Sequence, residues 1–210
     1  MQDFSLARRT MVDNQLRPQG VTDRGVLAAM GKIERERFVP ESARALAYFD
    51  RSVRIGHGRY LMPPAALGRL LTEAQPRAGE RALVIGSGSG YSAAVLREAG
   101  LEVVALESDQ ALANQADSVG VETVVGSLQD GWNKGAPYDL ILLEGAVEEV
   151  PAGLANQLAP GGRIAGAIVD RGVARLSVGT YAGGSVGWRS LADSDVETLP
   201  GFERPRAFTF

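Results

Sequence analysis

Three glycines at alternate positions follow a short apolar segment in the middle of the chain. Residues 82–85 have the length and branching of a strand that is buried on both faces of a parallel sheet. They lead into Gly86, Gly88 and Gly90, where the lack of side chains permits a tight turn and a close approach of a ligand to the backbone. Residues 92–100 predict a helix whose free N-terminal amides point back at this turn. The pattern is typical of a nucleotide site, although isolated glycines of this spacing also occur in ordinary tight connections.

A carboxylate at the end of the next apolar segment favours the nucleotide interpretation. Residues 101–106 predict a second buried strand, and Glu107 closes it about 20 residues after Gly86. Nucleotide-binding folds place an acidic residue there to accept hydrogen bonds from ribose hydroxyls. The glycine turn and Glu107 together favour an adenosine-containing ligand.

The only histidine of the chain lies in a segment that lacks any regular periodicity. Glycines and a double proline surround His57 within residues 51–64, and this composition predicts a loop. Most loop histidines are surface or packing residues, and a minority touch a substrate. His57 is therefore a secondary candidate for substrate contact.

The segments around these residues predict a helical cap followed by a doubly wound sheet. Three helices are expected before the loop: residues 6–17, 23–33 and 41–49. Ser5 is the expected cap of the first helix, and Thr22 or Asp23 that of the second. After Glu107, strands and helices alternate, which specifies parallel strands with right-handed crossovers. The expected strands are residues 121–126, 138–146 and 163–170, and the expected helices are residues 110–120 and 147–162.

The C-terminal part of the chain changes its pattern. Residues 175–193 alternate apolar and polar side chains on both sides of a glycine pair, which predicts an antiparallel hairpin at the sheet edge. We expect a single domain over residues 1–210, with the cap and substrate loop in residues 1–64 and the α/β core in residues 65–210.

Composition excludes several classes of protein. The chain of 210 residues is 45% hydrophobic and 22% charged, carries a net charge of −3 and contains no cysteine. Disulfides, thiolate zinc sites and a cysteine nucleophile are therefore excluded, and a single histidine gives neither a metal cluster nor a hydrolase triad. The net charge argues against bulk nucleic-acid binding. No segment is apolar enough for a membrane span or a signal peptide, so we expect a cytoplasmic protein.

Several motifs, in order and spacing, resemble the protein-L-isoaspartate O-methyltransferase family of class I S-adenosylmethionine-dependent methyltransferases. The resembling segments are MVDNQLRPQGVTD, VLAAM with RERFVP, AYFD, IGHG, VIGSGSGYSAAVL, GW with APYDLIL, and VPAGLANQLAPGGR. The glycine motif and the QLAPGG turn are the most diagnostic. The resemblance covers nearly the whole chain. It implies an α/β, Rossmann-like, mostly parallel seven-stranded sheet with an antiparallel end.

The resemblance also implies S-adenosyl-L-methionine as the cofactor and isoaspartyl-containing proteins or peptides as the substrate. Its cofactor contacts carry over to Gly86, Ser87, Gly88, Gly90, Glu107, Ser127 and Leu128. At two positions this chain lacks the acidic residue of the family. Val84 stands where the family usually has an acidic residue, and Ser127 stands at the acidic position of the turn that approaches the adenine.

A third departure lies in the predicted substrate loop. Met62 stands where the family has a serine, and a thioether neither donates a hydrogen bond nor accepts one well. Arg59 or His57 is then the candidate group for an anionic substrate. Three hypotheses remain: an isoaspartyl methyltransferase, a methyltransferase with a changed acceptor, and a non-catalytic homologue that keeps the cofactor or only the fold. An NAD dehydrogenase shares the glycine spacing and Glu107, but Tyr91 follows Gly90 and the third glycine of the dinucleotide motif is missing.

Overall fold

A computed structural model describes residues 3–204, so residues 1–2 and 205–210 of the expected domain lie outside the described part. Nine strands occur in it: β1 Val53–Gly56, β2 Arg59–Leu61, β3 Arg81–Ile85, β4 Glu102–Glu107, β5 Thr123–Val125, β6 Tyr138–Val147, β7 Leu158–Asp170, β8 Val173–Ala182 and β9 Ser185–Ser194. Seven of them form one sheet in the order β5-β4-β3-β6-β7-β8-β9. The first five are parallel, and β8 and β9 complete the sheet antiparallel. The predicted fold class and C-terminal hairpin are confirmed.

Strand β3 lies at the point where the strand order reverses direction. It pairs with β4 on one side and with β6 on the other, and Ile85 lies opposite both Leu106 and Leu143. Its four last residues are fully buried because one apolar cluster covers the face of Ala82 and Val84 and a second covers the face of Leu83 and Ile85. In open parallel sheets, ligands bind outside the carboxyl ends of the strands at such a reversal point.

The six α-helices of the described residues are α1 Phe4–Met11, α2 Arg24–Lys32, α3 Pro64–Ala74, α4 Tyr91–Glu98, α5 Gln110–Ser118 and α6 Ala152–Ala155. Asp23 caps α2 as predicted, since its carboxylate accepts a hydrogen bond from the Val26 amide. The predicted cap at Ser5 is wrong. Asp3 caps α1 instead and accepts from the Leu6 amide, which places Ser5 inside the helix.

Two other predicted helices are shorter or of a different kind. Residues Glu41–Leu46 form a 3₁₀ helix rather than an α-helix over residues 41–49. The predicted crossover helix over residues 147–162 is reduced to α6, because Pro151 starts the helix late and β7 already begins at Leu158.

The predicted loop over residues 51–64 contains a small two-stranded sheet, which corrects the prediction. β1 and β2 pair antiparallel, with Val53 opposite Leu61 and both side chains buried. His57 adopts a left-handed backbone conformation between Gly56 and Gly58, and this turn closes the hairpin. Only four side chains of the two strands are buried, so the alternation of apolar and polar residues is too short to predict these strands from the sequence.

The segment after β9 returns to the sheet and crosses the carboxyl ends of β3 and β6. The Leu199 amide donates to the Ala146 carbonyl at 2.8 Å, and the Ala146 amide donates to the Glu197 carbonyl at 2.8 Å. Leu199 is 1% exposed. Within residues 3–204, no helix has the length and apolar character needed to cross a membrane.

Candidate functional site

The glycine turn follows β3 directly and leads into α4. Gly86, Gly88 and Gly90 all have positive φ angles, of 71°, 55° and 93°, which other residues rarely adopt. The Gly86 and Ser87 amides donate to the Leu106 carbonyl at 2.9 and 3.0 Å. The turn is therefore held against the end of β4, next to Glu107.

Glu107 lies at the mouth of the glycine turn and is completely buried. Its Oε2 accepts from the Gly88 amide at 3.0 Å. Its Oε1 accepts from the Ser108 and Asp109 amides at 2.7 and 3.2 Å, and from the Ser108 hydroxyl at 3.2 Å. The position of this carboxylate is the one that the sequence predicted for a ribose-binding group.

Arg59 is the charged partner of this carboxylate. Its Nη2 lies 3.0 Å from Glu107 Oε1 and 2.9 Å from the Ser108 hydroxyl, and its Nε lies 3.4 Å from Glu107 Oε2. The Arg59 side chain is 7% exposed. The guanidinium is thus enclosed between the hairpin β1–β2 and the end of β4, and it faces Glu107 rather than an open acceptor pocket.

His57 lies at the tip of the same hairpin and is half-exposed. Its Nδ1 is 2.9 Å from Asp109 Oδ2. Asp109 also caps α5, and the pKa of its carboxyl is lowered mainly because it accepts from the Leu112 amide, with His57 contributing less. The hairpin is therefore connected to the end of β4 by two pairs of side chains.

Apolar side chains fill the space directly above the glycines. A Cβ added to Gly88 would lie 2.6 Å from Ile55 Cδ1, and a Cβ added to Gly86 would lie 2.5 Å from Leu199 Cδ1. Ile55 comes from β1 and Leu199 from the C-terminal segment. Two parts of the chain thus pack on the turn that the sequence assigned to a ligand.

A second carboxylate, which sequence reasoning did not single out, lies on the other side of Gly86. Glu144 is 4% exposed, its Oε1 accepts from the Met62 amide at 3.5 Å, and its Oε2 has no hydrogen-bond partner among residues 3–204. Burial raises the pKa of its carboxyl, and the nearby Ser92 hydroxyl and Arg35 guanidinium oppose this only in part. A signal was present in the sequence, since VVALE and LILLE are both apolar segments that lead into a glutamate.

Met62 belongs to the core on this side of the site. It is 1% exposed, and its carbonyl accepts from Arg35 Nη2 at 2.6 Å. The buried Arg35 also donates to the Ala47 carbonyl at 2.7 Å and stacks over the Tyr91 ring at 4.6 Å. A cavity of about 10 Å³ lies between Met62, Glu144 and the segment that carries Leu199. This volume holds about one water molecule.

The remaining predicted residues lie at different depths. Ser87 is 1% exposed and buried within the turn, and its hydroxyl has no partner in the residues that the structure describes. Ser127 is exposed, and its hydroxyl accepts from the Asp130 amide at 3.4 Å. Leu128 is buried with Leu106 in the apolar layer on one face of the sheet.

A glycine turn at the reversal point of a seven-stranded sheet, with an antiparallel end, defines the class I methyltransferase architecture. Residues 7–179 match the family model described as protein-L-isoaspartate(D-aspartate) O-methyltransferase. The chain belongs to this family. Leu199 lies beyond the matched residues.

Curated relatives agree with this assignment. The chain is 40% identical over 168 residues to protein-L-isoaspartate O-methyltransferase 1 of Rhodopseudomonas palustris, which covers 77% of this chain and 69% of the relative. It is 40% identical over 200 residues to protein-L-isoaspartate O-methyltransferase 2 of Marinobacter nauticus, which covers 89% of this chain and 91% of the relative.

Solved structures show the same fold. A protein-L-isoaspartate O-methyltransferase superposes with a TM-score of 0.81 at 24% identity, covering 92% of this chain and 66% of that one. A Plasmodium falciparum structure of that description, in complex with S-adenosyl-L-homocysteine, superposes with a TM-score of 0.77 at 21% identity, covering 91% and 97%.

Proposed function

We propose that the chain is an S-adenosylmethionine-dependent O-methyltransferase that acts on isoaspartyl carboxylates of damaged proteins. The family match over residues 7–179 and relatives of about 40% identity support this proposal. The structural observation that carries it is the contact between Glu107 and the glycine turn, since the carboxylate accepts from the Gly88 amide at 3.0 Å. This contact puts an acidic group and bare backbone at one place, as an adenosyl ligand requires.

Methyl transfer to a carboxylate needs little acid–base catalysis from the protein. A carboxylate is ionised near neutral pH and needs no general base, so positioning of the reacting groups supplies most of the acceleration. The loss of the family's serine at Met62 is therefore compatible with activity. As part of the proposal, the chain works as one domain in the cytoplasm, and Gly86, Ser87, Gly88, Gly90, Glu107, Ser127 and Leu128 are the cofactor contacts.

The cofactor does not fit the described conformation of the site. Ligand pockets have volumes of about 300–1,000 Å³, whereas the cavity beside Met62 and Glu144 has about 10 Å³. Ile55 and Leu199 pack on the glycines, and Arg59 holds Glu107. Cofactor binding therefore requires a rearrangement of these segments.

A second candidate function is a homologue in which cofactor binding is impaired. Three observations favour it: the apolar Val84 beneath the turn, the exposed Ser127 at the acidic position of the adenine turn, and the ion pair between Arg59 and Glu107. Each removes or occupies a polar group that the family resemblance assigns to the cofactor.

Methyl transfer separates the two candidates. The chain is incubated with S-adenosylmethionine labelled in the methyl group and with a peptide that contains isoaspartate, beside the same peptide with ordinary aspartate. Base-labile label on the isoaspartyl peptide alone supports the methyltransferase. Absence of label from both peptides, for the wild type and for variants that bind the cofactor, contradicts it.

A further inference from the structure

The hairpin β1–β2 covers the carboxyl ends of β3 and β4 with two inward side chains. Ile55 packs on Gly88, and Arg59 pairs with Glu107 at 3.0 Å. We infer that this hairpin is an internal lid, in which the Arg59 guanidinium takes the place of ribose hydroxyls on Glu107 and keeps the cofactor out. The inference rests on the proposed function, because the excluded ligand is the family's cofactor.

Glu107 has no capacity left for a ribose while Arg59 is in place. An ionised carboxylate offers about four acceptor sites on its two oxygens. Oε1 already accepts from the Ser108 amide, the Ser108 hydroxyl, the Asp109 amide and Arg59, and Oε2 accepts from the Gly88 amide and Arg59. The backbone donors are fixed by the turn and by the start of α5. Arg59 is the one charged donor, and its departure leaves the Gly88 amide as the single donor to Oε2 among these contacts, so that this oxygen can accept from a ribose hydroxyl.

The lid is attached to the rest of the domain by side-chain contacts rather than by strand pairing with the seven-stranded sheet. β1 and β2 form a two-stranded sheet that is separate from the seven-stranded one. Among residues 3–204, no atom lies within 4 Å of a Cβ added to Gly56 or Gly58, so the two glycines beside His57 have open space around them. Opening the part of the lid beyond the buried Val53 and Leu61 breaks the contacts of Ile55, His57 and Arg59, and it leaves the main sheet intact.

The energetic consequence is a weaker apparent affinity for the cofactor. A minor state of a two-state protein is populated at about 0.1–10%. When only the open state binds, the apparent dissociation constant exceeds the intrinsic one by the inverse of that population. Removing the guanidinium favours the open state and tightens binding.

The test is isothermal titration of S-adenosyl-L-homocysteine into the wild type, Arg59→Gln and Arg54→Gln. Arg54 lies on the same hairpin and is exposed, so its substitution is the matched control. We expect Arg59→Gln to bind about tenfold more tightly than the wild type or more, and Arg54→Gln to bind like the wild type. The lid is overturned if Arg59→Gln binds no more tightly than the wild type, including the case in which neither binds at millimolar ligand.

A measurement without any ligand tests the ion pair on which the lid depends. Urea unfolding of Arg59→Gln, Glu107→Gln and the double variant gives their coupling. We expect a clear departure from additivity, and additive effects would overturn the inference. The proposed function fails separately: an Arg59→Gln chain that binds S-adenosyl-L-homocysteine yet transfers no methyl group to the isoaspartyl peptide leaves the lid intact and removes the methyltransferase.

Discussion

Glu107 and Glu144 occupy equivalent positions on either side of the glycine turn, but they differ in their hydrogen-bond and charge partners. Each follows the residue that lies opposite Ile85, Glu107 as the last residue of β4 and Glu144 within β6. Glu107 has an arginine partner and backbone donors on both oxygens. Glu144 has one long contact with an amide, its other oxygen has no partner within the described part of the chain, and burial raises the pKa of its carboxyl.

The difference teaches that equivalent positions on the sheet do not give two carboxylates the same hydrogen-bond partners. Burial of a carboxylate costs free energy unless hydrogen-bond donors replace its lost hydration. At Glu107 these donors are backbone amides and Arg59 of the lid. The same contact that stabilises the fold therefore competes with the proposed ligand.

The largest effect that we expect comes from removing the satisfied carboxylate. Glu107→Ala leaves the buried Arg59 without its counterion and should lower the free energy of unfolding by about 3–5 kcal/mol, as measured by urea unfolding. Adding Arg59→Met to this variant removes the unpaired charge and should recover part of the loss. A double variant no more stable than Glu107→Ala would show that Arg59 and Glu107 do not form an ion pair in the folded chain.

A second prediction concerns the packing of the lid on the turn. Gly88→Ala and Gly58→Ala both carry the cost of a positive φ angle, about 1–2 kcal/mol, since the two angles are 55° and 71°. Only Gly88 meets another side chain, Ile55, so its substitution should cost about 1–3 kcal/mol more in urea unfolding. Equal losses for the two variants would place Ile55 away from the turn.

A third prediction concerns the unsatisfied carboxylate. Because burial raises the pKa of Glu144 above its ordinary value of 4.5, the folded chain keeps the proton after the unfolded chain has released it. The stability that this group contributes is complete below about pH 4.5 and is lost as the pH rises through the folded-state pKa. Arg35 and Tyr91 are the other titratable groups packed beside it.

Glu144→Gln removes this pH dependence. The variant should gain stability over the wild type on the order of 1 kcal/mol at pH 8, and the gain should disappear toward pH 4. Thermal and urea unfolding at both pH values measure the difference. A loss of stability at pH 8 that shrinks on acidification would instead mean that Glu144 is ionised and paired in the folded chain.

The smallest effect is expected at the tip of the lid. His57 is half-exposed and its partner Asp109 is partly exposed, so the pair is screened by water. His57→Gln should leave urea unfolding at pH 8 within experimental error. A clear loss of stability would make His57, rather than Arg59, the main attachment of the lid.

The sequence predicts the parallel core well, but it predicts poorly the hairpin β1–β2 and the C-terminal segment that cover the site. The apolar segments before Gly86 and Glu107 are long and continuous, so periodicity and flanking glycines identify the strands. The hairpin around His57 has strands of four and three residues, too short for a periodic signal. Leu199 reaches Gly86 from more than 100 positions away, a contact that no local pattern encodes.

The role of a site residue is predictable from the sequence where it depends on spacing from the glycine turn. It is not predictable where it depends on side chains that are distant in the sequence. The role of Glu107 as the acidic end of β4 follows from its spacing after Gly86. Because Met62 replaces the family's serine, the sequence predicts that the nearby Arg59 contacts an anionic substrate. That role stays a prediction, but in the closed lid its guanidinium faces Glu107.

The central claim is that Arg59 and the cofactor compete for Glu107. Crystal structures of the chain grown without and with S-adenosyl-L-homocysteine test it most directly. We predict the guanidinium of Arg59 on Glu107 in the ligand-free crystal, and the ribose hydroxyls on Glu107 with Arg59 displaced in the complex. A ligand-free crystal with Arg59 in solvent, or a complex in which the Arg59–Glu107 pair persists, would contradict the account.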